Sequence, residues 1–347
     1  MPEACHTDGV STLASEAAEA PEACRRAIAN NAVAIAALAR RLIAQPPTSI
    51  ATCARGSSDH AASYGASLIS AFLGRPVASV GPSMVSIYGR TLEGLDGALV
   101  LAVSQSGKSP DIVQLATAAR DAGALVVGLV NEVSSPLAGA CELVLPLWAG
   151  IETSVAATKS FLLAATGLLQ LVAAWSQDPV RGDAIDRAPD ALAAARALDW
   201  GPALAPLVPA TSAYVVGRGI GLGPTQEIAL KLKETCRLHA EAFSTAETLH
   251  GPIALVTPGF PILAIGQDDA TASGTRDVIA TLVRVGADVA SSLVVPGARA
   301  LPVATAPAVV APLCAVQSFY LALPGLAAAR GLDAETPPHL RKVTQTR

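Results

Sequence analysis

Two stretches of the chain repeat each other. Residues 51–65 (ATCARGSSDHAASYG) and 214–228 (YVVGRGIGLGPTQEI) each place an Arg-Gly pair directly after a short apolar run. The spacing downstream repeats as well: 50 residues separate Arg55 from Gln105, and 49 separate Arg218 from Gln267. The segment LAVSQSGKSPD (101–111) thereby lines up with LAIGQDDATAS (263–273), and Tyr88-Gly89 with His250-Gly251. Spacing held over that distance argues for duplication. The fold must then be one that two similar units can build, and 347 residues suffice for two domains with a core each.

Within the first unit, apolar runs end in small polar clusters and lead into Ala-rich helical stretches, a βαβ rhythm. It predicts strands over 49–53, 98–103, 125–130 and 143–145, with helices after the first three. A preceding helix over 21–42 puts Ile28, Ile35, Leu38 and Leu42 on one face and ends before Pro46 and Pro47. The chain is 51% apolar but only 3% aromatic, which suits helices packed on buried parallel strands. The longest apolar stretch, 161–175, is shorter than a bilayer span and is interrupted by Gly167 and Gln170, so it reads as a buried helix.

The N-terminus, MPEACHTDGV, shows neither a secretory signal nor a lipid-anchor motif, and a cytoplasmic location is the expectation. Six dispersed cysteines without a C-x-x-C pair fit reduced thiols better than disulfides or a zinc site. A net charge of -4 with no basic run speaks against nucleic acid and anionic membrane as partners.

The chemistry concentrates at loop junctions. In residues 104–111 (SQSGKSPD), Gly107 permits a tight turn, and Ser109-Pro110 reads as a helix N-cap and first position. The hydroxyls of Ser104, Ser106 and Ser109, backbone N–H groups and a helix N-terminus then converge at one strand end, a phosphate cradle. An isolated S-x-S-G would be an ordinary capped turn. The edge of an open α/β sheet is where ligands gather, and that favours the cradle. Gly56-Ser57-Ser58 closes a neighbouring strand in the same layer. The loop over 152–159 (ETSVAATK) collects further hydroxyls, and Thr158 is either a phosphate contact or a helix cap. The second copy carries Asp268 and Asp269 in place of the serines, so only the first loop should bind an anion well.

The glycine-rich run 217–223 (GRGIGLG) fails the G-x-G-x-x-G spacing, since Leu222 and Pro224 stand where the third glycine is needed, and a nicotinamide or flavin cofactor is rejected. These glycines let the loop approach a sugar or the facing lobe. The predicted helix over 226–238 places Glu227, Lys231 and Glu234 in one polar stripe, which a surface ion pair alone would also explain. His250 sits on a turn fixed by Gly251-Pro252, suited to carrying a proton near neutral pH. The tail PPHLRKVTQTR is either a frayed end or a flap that brings a lysine back over a pocket.

Taken in order, SQSGKSPD, SVAATKS, QEIALKLKET, HAEAFSTAETLHGP and HLRKV resemble the SIS (sugar isomerase) family over nearly the whole chain from about residue 25. They are similar to the isomerase half of glucosamine-6-phosphate synthase and more closely to stand-alone SIS-type glucosamine-6-phosphate deaminases. The resemblance implies an α/β fold of two tandem SIS domains, each a parallel-sheet αβα sandwich of flavodoxin-like or Rossmann-like type. The expected layout is a helical segment over 1–45, a phosphate-binding domain over 46–176, a helical linker over 177–206, a second domain over 207–333, and a tail over 334–347 closing the active site.

By position the resemblance implies substrate contacts from Gly56, Ser57, Ser58, Ser104, Gln105, Ser106, Ser109, Ala157, Thr158 and Glu227. It implies Glu234 as the base that moves a proton between C1 and C2, His250 as a ring-opening histidine from a neighbouring subunit, Lys342 as a tail lysine able to form an imine, and Lys231 as a supporting polar group. The tail departs from the synthase pattern just after Lys342. The ligand implied is an amino-sugar phosphate, with no metal or organic cofactor, and the assembly is a homodimer or larger. Synthases expose a cysteine nucleophile after Met1, whereas Pro2 follows Met1 here, so deamination of glucosamine 6-phosphate to fructose 6-phosphate and ammonia is expected over synthesis. The rivals are an isomerase or deglycase for another amino-sugar phosphate, a synthase-type isomerase without its glutaminase, and a sugar-phosphate sensor without activity.

Overall fold

The computed structural model describes residues 11–342. Helices α1 (Thr12–Ala18) and α2 (Ala20–Ala44) lead into a first lobe. It runs β1 (Ile50–Cys53), α3 (Ser57–Leu73), β2 (Ala78–Ser79), α4 (Ser83–Ser86), β3 (Leu99–Ser104), α5 (Pro110–Asp121), β4 (Leu125–Val130), α6 (Pro136–Ala140), β5 (Leu143–Pro146) and α7 (Lys159–Ser176). Helices α8 (Pro179–Arg196) and α9 (Gly201–Leu204) connect it to a second lobe. That lobe runs β6 (Ser212–Gly217), α10 (Leu222–Cys236), β7 (His239–Ser244), β8 (Pro261–Ile265), α11 (Ala272–Arg284), β9 (Asp288–Ser291), β10 (Arg299–Ala300) and α12 (Ala311–Ala329).

Each lobe holds a five-stranded sheet, ordered β2-β1-β3-β4-β5 in the first and β7-β6-β8-β9-β10 in the second. Every pairing is parallel. Each second-lobe strand thus occupies the place of its counterpart in the first, and the internal repeat read from Arg-Gly spacing is a repeat of topology. In the first sheet, β1 and β3 are neighbours although β2 intervenes in sequence. That reversal of strand order opens a crevice beyond their carboxyl ends. The register sets Thr52 opposite Leu101 and Cys53 opposite Ala102, so the loops leaving β1 and β3 emerge side by side. The four strands expected in this lobe lie within a residue of those observed.

Residues from both lobes merge in one core that includes Tyr64, Leu168, Ile228 and Phe319. Helix α10 starts at Leu222, four residues ahead of the expected 226. Pro224 falls in its first turn, where a missing N–H breaks no helical hydrogen bond. Gly223 packs on α3 so closely that a Cβ there would lie 2.5 Å from the His60 carbonyl oxygen and 2.7 Å from the Tyr64 nitrogen. The glycine-rich run therefore serves the facing lobe. Close packing at this point lets α10 carry side chains toward the loops of the first sheet.

Helices α2, α7 and α12 are long and apolar enough, by length and composition, to cross a membrane. In α7 and α12, 83% and 67% of the apolar window is buried within the protein, so core packing accounts for most of that apolar surface. Among the described residues five cysteines are free, and burial pushes the thiols of Cys24, Cys53 and Cys314 up to about 12. Cys5 lies outside the described residues.

Candidate active site

A cavity of about 330 Å³ opens over the paired ends of β1 and β3. Its floor is the segment 104–109. Gly107 turns that loop at φ +62, and any Cβ there would collide with Ser135 Oγ at 2.1 Å. The turn is held from within: Ser104 Oγ accepts from the Gly107 nitrogen at 3.0 Å, and Ser106 Oγ from the Lys108 nitrogen at 3.3 Å. Ser109 occupies the N-cap position of α5 with Pro110 after it, but its side chain makes no capping hydrogen bond. Its hydroxyl is left to the cavity it lines. Gln105 lines the same floor, Gly56, Ser57 and Ser58 line it from the end of β1, and Ala157 from the loop before α7.

The opposite wall comes from α10, on which Lys231 and Glu234 reach the cavity. Lys231 Nζ donates to Ser57 Oγ at 3.0 Å and to Glu234 Oε2, and pairs with Glu227 Oε1 at 3.4 Å. The stripe is no surface ion pair, because the side chains of Lys231 and Glu227 are 1% and 0% exposed. Glu227 lies behind the wall and does not line the cavity. Its Oε2 meets His60 Nδ1 at 3.0 Å, and its Oε1 accepts from the Tyr320 hydroxyl at 2.8 Å.

Opposing effects act on this pair. Burial alone would push the Glu227 carboxyl up, but Lys231, then His60 and Tyr320, outweigh it and hold the carboxyl below its ordinary value. Burial would pull the Lys231 ammonium down, but Glu227 and Glu234 together hold it above its ordinary value. Burial, with Glu227 beside it, holds the Tyr320 phenol well above its usual range, so it remains a donor. The result is a fixed ammonium at the foot of a carboxylate that faces the cavity.

The tail closes a third side. Leu340, Arg341 and Lys342 line the cavity, and Lys342 Nζ donates to Glu152 Oε2 at 2.9 Å. Glu152 is buried and also accepts from the nitrogens of Thr158 and Ser160, both at 3.0 Å, and from Ser160 Oγ at 2.7 Å. Burial would raise its carboxyl, but Lys342 and Ser160 prevail and lower it. Further back, Glu335 ties the tail to the start of α1, accepting from Ser11 Oγ at 2.6 Å and the Leu13 nitrogen at 3.0 Å.

Two other residues singled out in the sequence stand apart from the cavity. Thr158 is fully buried and its hydroxyl meets no partner and makes no cap; its backbone N–H donates to Glu152 and its carbonyl accepts from the Phe161 and Leu162 nitrogens. His250 is exposed at the end of a short 3-10 turn and does not line the cavity of its own chain. Conversely, Arg55, His60, Glu152, Tyr320 and Arg341 take places that sequence reasoning did not assign. His60 follows Ser57 by three residues and so shares its helical face, a signal that was available. Glu152 stood in the loop read for its hydroxyls, whereas Tyr320 offers no local cue.

Among the described residues no group of three or more His, Cys, Asp and Glu side chains is placed to hold a metal ion. The cavity joins an end lined by the hydroxyls of Ser104, Ser106 and Ser109 and by Arg55 to an end where one carboxylate is supported by a buried ammonium. Such a site can anchor a charged group and move a proton at carbon some distance from it.

The SIS domain model matches residues 42–174 and 207–295, one segment in each lobe. A glutamine–fructose-6-phosphate aminotransferase (isomerizing) from Aeropyrum pernix is 34% identical over 316 residues, covering 83% of this chain and 49% of the relative. The chain thus spans about half the length of the curated relatives it matches. A solved structure from Silicibacter pomeroyi DSS-3, provisionally described as a phosphosugar isomerase, is 41% identical with a TM-score of 0.89, covering 94% of this chain and 100% of the other. The glucosamine-6-phosphate deaminase of Thermotoga maritima shares the fold at a TM-score of 0.74, with 18% identity over 97% of this chain and 100% of the other.

Proposed function

The chain belongs to the SIS domain family, and on that premise we propose that it is a sugar-phosphate isomerase whose reaction is the deamination of glucosamine 6-phosphate to fructose 6-phosphate and ammonia. The observation that carries this reading is the single cavity shared by the Ser104–Ser109 loop, the Lys231–Glu234 pair and the tail lysine.

In this reading the phosphate sits on the hydroxyls of Ser104, Ser106 and Ser109 at the N-terminus of α5, where a dianion is favoured. The sugar then extends toward α10. His250 from a second copy of the chain donates a proton to O5 while the anomeric hydroxyl gives its own to water, so the ring opens without a net proton change, consistent with the exposure of His250 here. Glu234 takes the C2 proton and delivers one to C1, giving the 2-imine. Lys231 occupies Oε2 and leaves Oε1 for the carbon. Water adds to the imine, ammonia leaves, and fructose 6-phosphate remains, so atoms and protons balance. Lys342 Nζ in this state donates to Glu152 Oε2. It can neutralise charge as it stands, and imine formation requires it to leave that carboxylate.

The test is direct: purified protein is incubated with glucosamine 6-phosphate, and ammonia and fructose 6-phosphate are measured. Equal release of both is expected, and release of neither would refute the reading. A second reading follows from the curated relatives, which carry an isomerising aminotransferase name. The same cavity would then work toward amination, and net glucosamine 6-phosphate formed from fructose 6-phosphate and ammonium would identify it.

A further inference from the structure

Arg55 leaves β1 directly before Gly56 and lines the cavity. Its Nη2 and Nε donate to a single oxygen, Asp111 Oδ2, at 2.9 and 3.2 Å. The Asp111 side chain is 0% exposed and that of Arg55 is 48% exposed, so a buried carboxylate holds a guanidinium whose other edge remains open. Asp111 is itself fixed, its Oδ1 accepting from the Ile112 nitrogen at 2.9 Å. It stands in the first turn of α5, two residues after Ser109, which sets the guanidinium beside the hydroxyl loop.

A half-exposed arginine paired at the surface would contribute little. A buried carboxylate is costly unless paired, and the pairing here fixes the direction of a planar fork suited to two oxygens of one phosphate. The repeat sharpens the point. Arg55 recurs as Arg218, but Asp111 aligns with Ser273 and the serine loop with Gln267-Asp268-Asp269. Asp269 there accepts from the Thr271 nitrogen and hydroxyl at 2.8 and 2.6 Å, so its carboxylate occupies the turn. The anchored arginine and the hydroxyl loop occur together, and only in the first lobe.

We propose that Arg55 is a ligand of the substrate phosphate, oriented by Asp111 so that its open edge meets the oxygens held by Ser104, Ser106 and Ser109. The inference rests on the sugar-phosphate reading above. Asp111 acts through Arg55 and is a positioning residue.

The experiment uses the full chain with R55M, R55K, D111N and R55M/D111N, measuring inorganic phosphate binding by calorimetry and kcat/KM for glucosamine 6-phosphate. R55M removes one charge-assisted hydrogen-bonding group and should weaken phosphate binding and kcat/KM by a similar factor, roughly 10- to 150-fold. R55K keeps a charge opposite Asp111 but lacks the fork, so it should lose less, and it decides the matter if R55M does not fold. D111N should weaken phosphate binding on its own yet add little to R55M, because the two changes remove one interaction. Phosphate binding by R55M and R55K equal to wild type would overturn the assignment while leaving the sugar-phosphate reading intact. Wild-type protein that binds no inorganic phosphate would instead overturn that reading, and the role of Arg55 with it.

Discussion

Replacing Glu227 with Gln tests whether the ion pair beneath the cavity supports the fold. The side chain keeps its shape and can still accept from the Tyr320 hydroxyl, but it no longer balances Lys231. The Lys231 side chain is 1% exposed, and its remaining carboxylate, Glu234, is 20% exposed. Removing one partner of a buried pair costs about 3–5 kcal/mol. Glu234 and the retained hydrogen bond place the expectation at the lower end, about 3 kcal/mol. In a thermal melt this corresponds to a drop of roughly 4 °C for a chain of 347 residues. The double variant E227Q/K231M should lose less than the sum of the singles by at least ~1 kcal/mol, since both changes act on one ion pair.

The pH dependence has a definite sign. The Glu227 carboxyl is held below its ordinary value in the folded protein, so its contribution is full above the unfolded-state pKa of about 4.5 and is lost as pH falls through the folded-state value. The gap between wild type and E227Q should therefore be widest at neutral pH and narrow in acid. Thermal midpoints from neutral pH down to about 3 measure it. A gap below ~1 kcal/mol at neutral pH, or one that does not change with pH, would refute the reasoning.

Gly223→Ala should bring α10 and α3 into collision and destabilise the protein by about 1–3 kcal/mol, with reduced turnover, as unfolding curves and kinetics would report. Ser106→Ala should weaken inorganic phosphate binding about tenfold or less, the scale of one neutral hydrogen bond, as calorimetry would read. Glu152→Gln should free Lys342 and loosen the tail, seen as faster proteolysis or hydrogen exchange over 336–342 and lower turnover; an unchanged tail would separate Glu152 from that role. Mixing inactive E234Q with inactive H250A should restore part of the activity if the histidine crosses between copies, because one site in the mixed dimer would be whole. No recovery in a verified mixed dimer would place His250 elsewhere.

The first-lobe strands and the loops that follow them were legible because buried parallel strands are short apolar runs with abrupt polar ends. Ser104, Ser106 and Ser109 needed no tertiary knowledge, since one loop at one strand end carries them all. Repeat spacing implied a second unit built like the first, whereas the strand order of its sheet is seen only in the structure. The residues missed were those whose partners are remote. Tyr320 meets Glu227 across 93 residues and His60 meets it across 167, and no local pattern encodes such meetings. Glu227 itself was legible as a member of a polar stripe but not as a buried one. Ile228, Ala229, Leu232 and Cys236 mark the apolar face of α10 that packs inward, whereas the cover over the polar stripe comes from α3 and α12. Ser109 shows a different limit: the sequence reads as a capped helix, yet the side chain makes no capping hydrogen bond and lines the cavity.

The central claim is that one carboxylate, Glu234, moves a proton at C2 of a phosphorylated amino sugar. The most direct measurement follows glucosamine 6-phosphate in deuterium oxide with wild-type protein and E234Q, by proton NMR together with ammonia release. Wild type should form fructose 6-phosphate with deuterium at C1 and release ammonia in equal amount, while E234Q should still bind inorganic phosphate but show neither exchange nor ammonia. Exchange and ammonia release by E234Q at the wild-type rate would contradict the account.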